Sequence, residues 1–196
     1  MTAAARLQLK IVLDNLKPAI WRRVLVNDDL SFLQLHRVIQ CAMGWEDCHM
    51  HEFQLVSPRT SIGTPSADDF FGSEQPMLPE RTTRLAGVLS GKKKFRYWYD
   101  FGDDWWHTIT VEKRLPPDPA APSVELLAGE FACPPEDCGG PHGYADMLDI
   151  AADPRHPEHG EIVEWLGDFD PEEFDLSAHA RRVAALVKTK RKPAAG

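Results

Sequence analysis

Leu7, Leu9, Ile11 and Leu13 alternate with polar or smaller residues, the period of a strand that buries one face. Residues 19–26 repeat the pattern. Between the two runs, Asp14, Asn15, Lys17 and Pro18 supply turn chemistry, with Pro18 placed where no ladder donor is needed, so an antiparallel hairpin is expected. Ser31 then precedes Phe32, Leu35, Val38, Ile39 and Met43, whose three- and four-residue steps predict a helix capped by Ser31 and ended by Gly44. His51, Phe53 and Leu55 share one face of a further strand, and residues 57–79, rich in Ser, Pro, Gly and Asp, read as a long excursion loop. Residues 84–89 read as a short ordered segment. Residues 95–99 and 107–113 form a second hairpin, joined by Asp100-Phe101-Gly102-Asp103-Asp104, where Gly102 is free to take positive φ and the aspartates can bond nearby amides. Beyond a proline-rich connector at 116–122, residues 144–151, 161–167 and 171–187 carry helical patterns.

These elements predict an α+β fold: a mixed or mostly antiparallel sheet, with a β-grasp-like core as one arrangement, packed against one central helix and further C-terminal helices. A single domain is expected over residues 6–187, its sheet core at about 6–115 and its helical part at about 131–187, followed by a basic tail at 188–196.

A chain of 196 residues, 43% of them hydrophobic, can bury a core without covalent staples. No charged leader runs into an apolar stretch, and no run of about 18 apolar residues occurs, so neither secretion nor a membrane span is expected. Cys41, Cys48, Cys133 and Cys138 are too unevenly spaced for a disulfide framework and read as reduced thiols of a cytoplasmic protein. The net charge of -8 removes the basic footprint that duplex DNA demands. Lys188, Lys190, Arg191 and Lys192 are the exception, and a nucleic-acid role is assigned to that tail alone.

Several segments carry candidate chemistry. His49 and His51, two apart, project to the same side if both lie on a strand, and with Asp100, Asp104 or His107 they would make a site for zinc or another divalent metal. The preferred structural account has these histidines bonding carbonyls or the turn aspartates. Cys133, Cys138 and His142 offer soft ligands or a redox pair; the plainer reading is a proline-ordered loop with a glycine turn. Trp45, Trp98, Trp105 and Trp106, with Arg22, are candidates for a ligand surface, although core packing is the default for most tryptophans. Alternation sends Arg22 and Arg23 to opposite faces, so at most one meets an internal partner. Asp153, His156, Glu158 and His159 read as the start of the following helix rather than as a site.

Ile20-Trp21-Arg22-Arg23, Gly44-Trp45, His49-Met50-His51-Glu52-Phe53, Tyr99-Asp100-Phe101-Gly102-Asp103 and Pro134-Pro135-Glu136-Asp137-Cys138-Gly139-Gly140 occur in this order. Gly143-Tyr144, Asp153-Pro154, His156 to His159, Trp165 and Phe169-Asp170-Pro171 follow. Together they resemble the plasmid pRiA4b ORF-3-like family. The resemblance implies a compact α+β domain carried by bacterial chromosomes, plasmids and mobile elements, sometimes labelled a transposon resolvase-like passenger. A serine recombinase needs a nucleophilic Ser among arginines and a basic DNA-binding module, and neither is identifiable. The leading expectation is therefore a non-catalytic binding or accessory protein that meets a protein or small ligand. The alternatives are a metal-dependent hydrolase or nuclease, with Glu52 activating water, and a DNA-associated factor working through the tail.

Overall fold

The structure is a computed structural model that describes residues 4–65 and 77–188. Strands β1 (Arg6–Leu13) and β2 (Trp21–Asn27) form the expected antiparallel hairpin, with Leu7 opposite Val26 and Ile11 opposite Arg22. Alternation decides the buried face: Leu7, Leu9, Ile11 and Leu13 are buried, while Gln8, Lys10 and Val12 turn the other way. Helix α1 (Phe32–Met43) covers the buried face. Ser31 Oγ accepts from the Gln34 N–H and Gln34 Oε1 accepts from the Ser31 N–H, a reciprocal capping box that satisfies two otherwise orphaned donors. At the other end Gly44, at φ 112°, donates its N–H to Gln40 O and stops the helix.

The chain continues through β3 (His51–Val56), β4 (Arg59–Gly63), β5 (Leu78–Pro79), α2 (Leu85–Leu89), β6 (Lys94–Tyr99), β7 (Trp105–Leu115) and β8 (Val124–Glu130). It ends in α3 (Gly140–Ala152), α4 (His159–Leu166) and α5 (Leu176–Lys188). All eight strands form one sheet in the order β5-β4-β3-β6-β7-β1-β2-β8. Every pair is antiparallel except the short β4–β5 pair. The fold is α+β with a mostly antiparallel sheet. Its central pairs β6–β7 and β7–β1 are antiparallel, so the sheet lacks the parallel central pair of a β-grasp core. Helix α5 packs on α1 and β8 and buries Val183. Among the described residues, no helix is long and apolar enough to cross a membrane.

Three expectations need correction. The excursion after β3 is not loop throughout: β4 turns back on β3 as a hairpin, with Phe53 opposite Ile62. The sheet does not finish at Leu115, because β8 returns to pair with the outer side of β2, with Val24 opposite Leu126. Within the turn after β6, the left-handed residues are Asp100 and Asp104, at φ 51° and 59°, rather than Gly102. Aspartate tolerates that region because its short side chain bonds locally. The tail residues Lys190, Arg191 and Lys192 lie outside the described residues, and the side chain of Lys188 is likewise not described.

Candidate metal centre

The turn after β6, the segment before β3 and the loop after β8 meet at one end of the sheet. The Asp100 N–H donates to Met50 O at 2.9 Å, which fixes His49 beside the turn. Asp100 Oδ1 accepts from the N–H groups of Gly102 and Asp103, at 3.0 and 3.3 Å, leaving Oδ2 to face His49 Nε2 at 3.6 Å. Glu136 Oε1 accepts from the Glu46 N–H and the Tyr99 hydroxyl, both at 3.0 Å, while its Oε2 is buried without a hydrogen bond, 3.9 Å from His49 Nε2. Asp137, held at φ 57°, places Oδ1 3.2 Å from the same nitrogen. His49 Nε2 is itself buried and makes no hydrogen bond. The exposed Cys48 thiol joins His49 and Glu136 in a second grouping whose ligand atoms lie within 4.8 Å of one another.

Three carboxylates therefore converge on one imidazole nitrogen, and among the described residues their ion pairs are all with that histidine. Three carboxylates around one imidazole hold more negative charge than that ring can balance, in a partly desolvated place, and a cation relieves it. Donors bound to zinc at 2.0–2.1 Å in a tetrahedron sit about 3.4 Å apart. The separations of 3.2, 3.6 and 3.9 Å bracket that spacing. One nitrogen with carboxylate oxygens suits zinc, manganese or ferrous iron.

The loop that brings Glu136 and Asp137 to this point is clamped in place. Trp45 Nε1 donates to Pro134 O at 3.0 Å, and the Gly139 N–H donates to Asp103 Oδ2 at 3.0 Å. Gly140, at φ 70°, lies so close that a Cβ there would sit 2.2 Å from Asp103 O. Burial pushes the Cys138 thiol up to about 12 and raises that of Cys133 as well, so both stay protonated, and neither belongs to a ligand grouping. His142 is exposed on the first turn of α3.

The candidate set from the sequence divides. His49 and Asp100 meet; His51 does not join them, because β3 begins at His51 and strand alternation does not extend back to His49. Instead the His51 ring stacks on His36 at 3.5 Å, with its Nε2 2.7 Å from Glu80 Oε2. His36 Nδ1 lies 2.8 Å from the Tyr97 hydroxyl and its Nε2 2.6 Å from Asp47 Oδ1. Burial, reinforced by His51, depresses His36 to about 4 against the pull of Asp47. Burial pushes the Glu80 carboxyl up, but the bond and charge of His51, the Thr64 hydroxyl and the nearby His36 together outweigh it and leave Glu80 below its ordinary value. Every ring nitrogen of His36 is taken, so this second grouping reads as a buried polar network that joins α1, β3 and β6.

Asp104 is exposed and accepts from Trp106 Nε1 at 2.8 Å. His107 is fully buried, with neither ring nitrogen hydrogen-bonded, and among the described residues it belongs to no ligand grouping. Arg22, Trp45 and Trp105 are core residues, which corrects their assignment to a ligand surface. Trp98 and Trp106 do lie on the outer sheet face, stacked at 4.8 Å, with the Arg96 guanidinium 3.9 Å over Trp106. Cys48, Glu136 and Asp137 went unrecognised as ligands, as did the network of His36, Asp47, Glu80 and Tyr97. The run of acidic and glycine residues from Glu136 to Gly140 was the available signal for the first group.

Burial holds His107 down at about 3, so the folded state keeps it neutral where the unfolded chain, near 6.5, binds a proton. The unfolded state then carries more protons, and stability falls as pH drops below the ordinary histidine value. Between pH 6.5 and 5.5 the loss from His107 is about 1 kcal/mol, and His36 acts in the same direction. Urea midpoints at those two pH values should therefore fall with acid in the wild type and fall less in His107→Phe. Equal pH dependence in the two proteins would sink this account.

An α+β protein with an eight-stranded, mostly antiparallel sheet and an acid–histidine cluster at one end is the class that fold and site define. The family model described as plasmid pRiA4b ORF-3-like protein matches residues 5–178, and the chain belongs to that family. It is 39% identical over 171 residues to the uncharacterized protein y4hQ of Sinorhizobium fredii, covering 85% of this chain and 84% of that one. It also resembles the crystal structure of MM3350 from Methanosarcina mazei, a protein of unknown function. That likeness has a TM-score of 0.78 and 38% identity, and covers 89% of this chain and 97% of the other.

Proposed function

We propose that this chain is a binding or accessory protein whose site is organised by a divalent cation at His49, whose ligand groupings are with Asp100 and Asp137 and with Glu136 and Cys48. The observation that supports this reading is the pair of buried, unbonded atoms His49 Nε2 and Glu136 Oε2 among converging carboxylates. Buried polar atoms without partners are rare, and two that face one another at 3.9 Å suit a shared ion. The ion would fix the loop after β8 against the turn after β6 and set the shape of the surface that meets a protein or small ligand. A role linked to plasmids and mobile elements is part of this proposal; the family description names a plasmid.

Untagged, dialysed protein is expected to carry near-stoichiometric zinc, manganese or iron by elemental mass spectrometry. His49→Ala and Glu136→Gln should lose it while keeping the wild-type circular dichroism spectrum. If the isolated protein holds no metal and takes up none in titrations with these ions, the reading fails.

A second reading, a metal-dependent hydrolase, is favoured by a cavity of about 400 Å³ lined by Glu46, Cys48, Glu136 and Asp137. Asp137, whose side chain is 75% exposed, leaves that side of the cluster open to water. Hydrolysis of phosphodiester or ester substrates by metal-loaded protein, absent from Glu136→Gln, would favour this reading over the first.

A further inference from the structure

A separate cavity of about 820 Å³ opens where the β1–β2 turn, the β6–β7 turn and the start of α3 come together. Its size lies in the range of small-molecule sites. Ile20 and Tyr144 on its wall are buried, and Leu16, Phe131 and Leu148 are half-buried, so an apolar floor is present. Asp104, Asp149 and Glu172, also on its lining, are exposed and form a carboxylate rim. Asp103 adds a fourth acid, against which Lys17 is the opposing cation.

Three details decide what such a cavity would take. Tyr144 is 5% exposed and lines the cavity, and its hydroxyl makes no hydrogen bond to the described protein, so a polar group on the wall is free to pair with a ligand. The Gly139 N–H at the head of α3, which would otherwise attract an anion, is already bonded to Asp103 Oδ2 at 3.0 Å. Among the described residues the carboxylates of Asp149 and Glu172 make no ion pair, and they leave the lining net negative.

We propose that this cavity binds an organic amine: a ligand with an apolar body for the floor and an ammonium for the acidic rim. The ammonium would donate to the Tyr144 hydroxyl and meet Asp149 and Glu172, while the body displaces water from Ile20, Phe131 and Leu148. The proposal is independent of the cation at His49.

The test is calorimetric titration of the full chain as isolated, without chelator, with hexylammonium, hexanoate and ammonium chloride. The first two share a body and differ in charge; the third has the charge without the body. Saturable one-to-one binding of hexylammonium alone is expected. Affinity should weaken at least fivefold in Tyr144→Phe and in Asp149→Asn, and vanish in Ala145→Trp, which fills the cavity from the exposed side of α3. Equal binding of ammonium chloride, binding of hexanoate, or hexylammonium binding that survives Ala145→Trp in a folded protein would each overturn the proposal. So would no binding of hexylammonium to the wild type.

Discussion

Arg22→Ala is expected to lower the free energy of unfolding by about 4 kcal/mol. The guanidinium is fully buried and has no carboxylate partner among the described residues; its bonds go to backbone oxygens instead. Nε donates to Ala42 O, Nη1 to Trp21 O and Glu130 O, and Nη2 to Phe131 O, each at 2.9 Å. Phe174 closes the remaining side, its ring centroid 3.8 Å from the guanidinium carbon. One side chain thus ties the end of α1 to β2 and to the residues leaving β8. Burial lowers its pKa only to about 10, so the group stays charged at neutral pH. Truncation leaves carbonyls of three segments without donors and opens a void, and both effects destabilise. Arg22→Lys offers a compact ammonium that cannot span the same oxygens, so it should recover only part of the loss. Urea unfolding at pH 7 measures all three proteins; a loss below about 1 kcal/mol for Arg22→Ala would show that water replaces the guanidinium without penalty.

Gly140→Ala is expected to cost about 3 kcal/mol. The residue sits at φ 70°, and its added carbon would meet the Asp103 carbonyl oxygen at 2.2 Å, a backbone atom that no rotamer change can move aside. Either the turn after β6 or the loop after β8 must shift, and the two carry Asp100 on one side and Glu136 with Asp137 on the other. Bound metal should therefore fall along with stability. Gly160→Ala is the control: a Cβ there meets nothing within 4 Å, and the residue lies within α4. That change should be neutral or stabilise slightly. Full metal retention in Gly140→Ala would separate the clamp from the site.

Much of the fold was legible because one buried face imposes a period. The alternation of Leu7 to Leu13 and the steps of Phe32 to Met43 each gave an element that the structure contains. β4 escaped because Ile62 and Gly63 are its only buried residues and its neighbourhood is rich in turn formers. β8 escaped although Val124 and Leu126 alternate, since a bulge at Leu127 breaks the period and turns that leucine outward, 38% exposed. In the candidate site, the pairing of His49 with Asp100 joins residues whose spacing in the chain says nothing about contact. The expected pairing of His51 with His49 fails because β3 begins at His51, so His49 lies outside the strand whose alternation would have put both rings on one face. Arg22 stands among the ligand-surface candidates because charge is ordinarily solvated, and only the carbonyls gathered around it make its burial tolerable.

The position of β1 in the middle of the sheet has a consequence for biosynthesis. Its hairpin partner β2 follows at once, but its other neighbour is β7, with Arg6 facing Leu115, and the far side of β2 waits for β8. A nascent chain must therefore emerge through Glu130 before the inner strands are fully paired, and Arg22 has no Glu130 or Phe131 oxygen to bond until then. Such long-range closure slows folding, and it leaves a half-built sheet with exposed ladders during translation. Chains truncated before β8 should depend on chaperones in a way that the complete chain does not.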